Sequence, residues 1–113
     1  LKIQSFPIEY RIYPKKSIGM KMHKDIALYE NTYYECVLTL VNKSNSKFKY
    51  ICNNNTKILN SLPNTLMLVT PKTITHGVTA TDDGYRTILK FVVTFNNNLK
   101  NENYYSNYNL CPF

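Results

Sequence analysis

The chain reads as an all-β sandwich of about seven short strands. Three observations lead there. Apolar residues recur with period two along most of the sequence, and no stretch carries the spacing of an amphipathic helix. Clusters of Asn, Asp, Gly, Ser and Pro interrupt these alternations at short intervals. With 113 residues and 43% hydrophobic side chains, the chain suffices for one domain with a core of its own and not for two.

The strands follow in order. Ile8, Tyr10 and Ile12 alternate with Glu9, Arg11 and Tyr13 until Pro14 closes the run. Ile18, Met20 and Met22 alternate with Ser17, Gly19, Lys21 and His23. Residues 32–41 form a long β-rich segment in which Cys36, Leu38 and Leu40 share one face, and the turn formers of 42–46 follow. Residues 48–52 make a short strand ended by Asn53-Asn54-Asn55. Residues 65–70 make another between Pro63 and Pro71. Residues 73–81 alternate Thr73, Thr75, Thr79 and Thr81 against Ile74, His76, Val78 and Ala80, and Asp82-Asp83-Gly84 is a turn signal.

The last strand carries Leu89, Phe91, Val93 and Phe95 on one face and Lys90, Val92 and Thr94 on the other. The expected shared core between two sheets is Leu38, Leu40, Leu89, Phe91, Val93 and Phe95. From Asn96 the composition turns Asn- and Tyr-rich. The expected organisation is therefore a sandwich domain over 1–95 and a tail or linker over 96–113, with Tyr104, Tyr105 and Tyr108 available to pack back.

The net charge of +7, from 14 Lys and Arg against 7 Asp and Glu, attracts phosphates, anionic lipid or acidic peptides. Its lysines are scattered, at 15, 16, 21, 24, 43, 47, 49 and 90 among others, which reads first as a solvated basic surface and second as a face for an acidic segment. Asn, Lys, Tyr and Ile have AT-rich codons, so an AT-rich genome would itself supply part of this bias. Ten tyrosines on a basic chain also raise nucleic-acid binding, through pairs such as Tyr10-Arg11 and Lys49-Tyr50. No recognition-strand, zinc-finger or oligonucleotide-barrel signature accompanies them, so nucleic acid ranks last.

No catalytic constellation is expected. Asp82 and Asp83 are adjacent and suit a turn better than an acid/base pair, and three glycines leave neither a nucleophile elbow nor a phosphate loop. No cofactor or small-molecule substrate follows. Cys36, Cys52 and Cys111 are odd in number and lack zinc spacing, so they read as reduced thiols. The sequons at Asn42 and Asn54 are of the kind an Asn-rich chain yields by chance. His23 and His76 are far apart in sequence, no metal site is expected, and His76 reads as a core-edge histidine satisfied by a hydrogen bond. No apolar run reaches membrane-spanning length. The absence of an initiating Met and of a signal-peptide pattern suggests a piece of a longer protein, whose membrane anchor, if it has one, lies outside these residues.

Several elements recur in a familiar order. Leu38-Thr39-Leu40-Val41-Asn42-Lys43-Ser44 ends a strand in a turn, Phe48-Lys49 opens the next, Pro63-Asn64-Thr65 leads to 66–70 and Pro71, and Lys90-Phe91-Val92-Val93 opens the last. In this order residues 8–95 resemble the major sperm protein domain, the immunoglobulin-like module also found in VAMP-associated proteins. The resemblance implies an immunoglobulin-like, PapD- and MSP-like sandwich of seven strands and a non-enzymatic protein–protein interaction role. It also implies a cytoplasmic location, tethered to the endoplasmic reticulum or associated with the cytoskeleton.

In the family a basic groove binds acidic peptides bearing two aromatics. Lys49 and Lys90 match two of its basic positions, and Phe48 and Val92 beside them complete the expected peptide-binding set. Lys90 alternates with Leu89 and Phe91, so its ammonium is expected in solvent near Lys49. Ile51-Cys52-Asn53 departs from the family's Lys-Thr-Thr, which alters the groove. A cilium- or centrosome-type scaffold, or self-assembly into homo-oligomers, is the alternative the same resemblance implies.

Overall fold

Period-two patterning becomes nine strands among the described residues, which are 1–25, 27–70, 74–81, 83–95 and 99 of a computed structural model. They are β1 (Lys2–Ile3), β2 (Glu9–Tyr13), β3 (Met20–His23), β4 (Tyr33–Asn42), β5 (Lys47–Cys52), β6 (Asn55–Asn60), β7 (Thr65–Val69), β8 (His76–Val78) and β9 (Arg86–Thr94). No helix occurs among these residues. The expected tail over 96–113 lies outside them except for Leu99, whose carbonyl accepts the Glu30 N–H at 2.9 Å.

All pairings are antiparallel, and two sheets result. In the larger, β9 is flanked by β4 on one side, with β7 beyond it, while β1 and β2 share the other side of β9. The smaller runs β3-β8-β5-β6. Phe48 of β5 and Val78 of β8 pack with Val69 of β7, joining the sheets face to face. Tyr13, Val37 and Ile88 form a second buried group, and Leu28, Tyr29, Tyr33 and Val92 a third.

The all-β expectation holds, and the two strands beyond the expected seven are β1 and β6. β6 has every residue exposed, so it carries no inward apolar set to announce it. It exists because Asn53 and Asn54 both take positive φ, 51° and 64°, and turn the chain in two residues between the Cys52 and Asn55 pair. That backbone matches the twist of antiparallel strands, and Asn tolerates it better than most side chains.

The expected core is on the wrong side. Alternation correctly sorted β4 and β9 into two sets, but the set buried between the sheets is Tyr33, Val37, Ile88 and Val92. Leu38, Leu89, Phe91, Val93 and Phe95 belong to the opposite face of the larger sheet, Leu40 falls in the bulge between Thr39 and Val41, and Leu40 and Phe95 are each 42% exposed. The physical reason is that a period of two says which residues share a face, not which face the second sheet covers.

Candidate functional site

Two features stand out on the larger sheet, one on each of its faces. The outer face is built by register. Tyr10, Leu89, Leu38 and Leu66 lie side by side across β2, β9, β4 and β7. Phe91, Cys36 and Leu68 form the next row, Ile3, Val93 and Tyr34 another, and Ile12 stands beside Thr87. None of these strand residues is charged. Tyr10 at 61%, Ile12 at 56%, Leu66 at 48% and Leu68 at 58% are wide open to solvent, whereas Cys36 in the middle is 1% exposed.

The inner face carries charge instead. Arg11 donates to Glu9 at 2.8 Å along β2, and Lys90 of β9 closes onto Glu35 of β4. Their side chains retain little solvent, 22% for Lys90 and 11% for Glu35. Burial pushes the Glu35 carboxyl above its ordinary range, and Lys90 pulls partly against that.

From Glu35 the network reaches Asp25, and through it two histidines. His23 and His76 are register partners on β3 and β8, so their rings stand on one face with centroids 4.7 Å apart. Asp25, two residues past His23, returns to the same side. Its Oδ1 lies 3.1 Å from His23 Nε2 and its Oδ2 lies 3.1 Å from His76 Nε2. The other ring nitrogens are engaged by backbone: His23 Nδ1 bonds the Lys21 carbonyl at 2.6 Å and His76 Nδ1 the Ile74 carbonyl at 2.8 Å. Burial works to raise the Asp25 carboxyl, but the close approach of His76 and the charges of His76, Lys90 and His23 outweigh it, leaving it below its usual value. Burial opposes charging of His76, yet the Asp25 carboxylate beside its Nε2 and the Ile74 carbonyl on its Nδ1 hold it above its ordinary value. Among the described residues His23, Asp25 and His76 are a group able to hold a metal ion.

The four residues expected to bind a peptide do not share a surface. Phe48 and Val92 are core side chains, on the smaller and larger sheets respectively. Lys90 points inward onto Glu35, which corrects the expectation of a solvated ammonium; it shares a face with Ile88 and Val92, and that is the covered face. Only Lys49, opposite Phe48 on β5 and beside Gly77 and Ile58, faces outward. Sequence reasoning set His23 and His76 aside as too distant, and only the β3–β8 register brings them together. The one local signal was His23-Lys24-Asp25, a spacing that puts two ligand types on one side of extended chain.

No family model, curated protein or solved structure matches this chain.

Proposed function

We propose that this domain is a non-enzymatic protein–protein interaction module of the immunoglobulin-like class, and that it assembles by stacking the outer face of its larger sheet on the same face of a second copy. The observation that carries this reading is the uncharged outer face, on which one apolar row crosses four strands, others cross three, and Tyr10, Ile12, Leu66 and Leu68 are wet. Soluble monomers rarely leave apolar patches beyond a few hundred Å² uncovered. Four strands at ~4.8 Å spacing and ~3.4 Å per residue along β9 give a face on the order of 600 Å² before side-chain relief is counted. That is the same order as the ~800 Å² each partner contributes to a standard interface.

Charge favours a second copy over an acidic segment. Lys21, Lys47 and Lys49 project from the far side of the smaller sheet, so stacking two larger sheets leaves the excess positive charge of the two copies apart. An acidic segment would find Lys49 there without Lys90, whose ammonium is taken by Glu35. The interaction role implied by the major sperm protein resemblance is kept, on a different surface.

The test is light scattering and sedimentation of the wild type and of a Tyr10→Lys, Leu68→Lys double variant over a wide concentration range. A concentration-dependent dimer that the variant loses, with an unchanged β-type circular dichroism spectrum, is the expected result. A wild type that stays monomeric throughout, or a variant that dimerises equally well, overturns the reading.

A further inference from the structure

We propose that His23, Asp25 and His76 form a binding site for one divalent transition-metal ion of the zinc class. This inference does not rest on the assembly reading, because the cluster lies on the smaller sheet's β3–β8 edge and not on the outer face of the larger one.

The first argument is the placement of protons. A backbone carbonyl only accepts, so the Nδ1 of each ring must be the donor in the bonds to Lys21 and Ile74. In the neutral imidazole the proton is then spent, and each Nε2 presents a bare lone pair. Both lone pairs face a carboxylate, itself an acceptor, at 3.1 Å. Three acceptors converging on one spot repel unless a cation or added protons stand among them. Asp25 Oδ2 adds to this: it is shielded from solvent and makes no well-directed hydrogen bond among the described residues, despite the nearness of His76.

The second argument is distance. Ligand bonds of ~2.1 Å set neighbouring donors ~3.0 Å apart at right angles and ~3.4 Å apart in a tetrahedron. Each histidine nitrogen lies 3.1 Å from an Asp25 oxygen, His23 from Oδ1 and His76 from Oδ2, and each separation falls in that window. The donor atoms of the trio all lie within 4.8 Å of one another, so the widest separation needs to shorten by about 1.4 Å to reach the tetrahedral value. His23 supplies that movement, since it stands at the partly exposed end of β3 with 31% of its side chain in solvent. The same opening admits the ion.

The third argument is support. Histidines that bind metals typically give their second ring nitrogen's proton to a carbonyl or carboxylate, which fixes the tautomer and aims the lone pair. Both rings have that partner here. His76 is also stacked on Phe48 at 5.7 Å, which helps to fix the plane of its ring. Two imidazoles and one carboxylate suit zinc, cobalt(II), nickel(II) or iron(II), and suit magnesium or calcium poorly. Three protein ligands leave an open position for water.

The competing occupant is a pair of protons, which would turn the trio into an imidazolium–carboxylate cluster without metal, and the experiment separates the two. Protein stripped with a chelator and dialysed is titrated with zinc by calorimetry and with cobalt(II) by visible absorption. One equivalent bound, a rise in melting temperature with zinc, and cobalt d–d bands without a thiolate charge-transfer band are expected. His23→Gln and Asp25→Asn should each weaken zinc binding by roughly tenfold or more. His76→Gln should do the same; if that core-edge variant fails to fold, His23→Gln at the solvent-facing end still decides. Absence of zinc binding in the wild type overturns the site. So does binding that survives both His23→Gln and Asp25→Asn, or a thiolate band that moves the metal to the cysteines.

Discussion

Lys90 and Glu35 face each other as diagonal neighbours across β9 and β4, on the side of the sheet that the second sheet covers. A pair in that position is worth little as a net gain, but removing one member leaves a charge stranded. Lys90→Met should cost about 3 kcal/mol, the low end of that effect, because the pair is not wholly dry. Adding Glu35→Leu to Lys90→Met should restore most of it. Urea denaturation of the wild type, the single and the double variant makes the comparison. Additive losses would mean that the two side chains do not interact.

The thiols should react at very different rates. Cys52 is exposed at the end of β5, whereas Cys36 is buried on the larger sheet and burial pushes its thiol up. The thiolate is the reactive form, so Cys36 is doubly protected. Timed alkylation followed by peptide mass spectrometry should label Cys52 in the native protein and Cys36 only after unfolding. Equal labelling of the two would contradict this packing.

The β5–β6 turn offers a substitution of either sign. Asn54 stands at φ 64°, in the second position of a two-residue turn where Gly is preferred. Asn54→Gly should raise stability by a few tenths of a kcal/mol, and Asn54→Val should lower it by roughly 1–2 kcal/mol, since a branched side chain resists left-handed backbone. Thermal melts of the two variants should bracket the wild type.

Gly84 is less forgiving. It has φ 73°, and a Cβ there would stand 1.6 Å from the Lys43 carbonyl oxygen, where the β8–β9 loop crosses the β4–β5 loop. The Lys43 N–H bond to the Tyr85 carbonyl, 2.8 Å, ties the same crossing. Gly84→Ala should therefore cost more than about 1 kcal/mol. A variant as stable as the wild type in urea would show that the crossing yields easily.

How much of this was legible depends on which residues are asked. Leu89, Phe91 and Val93 announced a strand and a shared face through alternation alone, and Asp83-Gly84 announced the turn before it. The side on which that face lies was not legible, since the choice rests on Phe48 and Val78 of the smaller sheet packing against Val69 and Met67, which share the face of Val37 and Ile88 rather than that of Leu38 and Leu89. In β2 the polar members Glu9 and Arg11 turn inward while Tyr10 and Ile12 turn out, the reverse of the usual rule, and only the register with β9 reveals it. The metal trio was illegible for another reason. His23 and His76 are brought opposite by strand pairing across the whole middle of the chain, and no local pattern encodes a partner at that distance.

The order of the strands has a last consequence for how the domain opens. β9 and β4 are each paired on both sides, and their amides should be the slowest to exchange with deuterium. β6 is paired only with β5 and has no buried side chain, so its hydrogen bonds should break first and re-form without disturbing the rest. β3 and β8 stand between these extremes. β8 has β5 as its other neighbour, so fraying that spreads inward from β6 reaches the His76 strand before it reaches Glu35. An ion held by His23, Asp25 and His76 would pin that boundary and slow exchange in β8 while leaving β6 as fast as before.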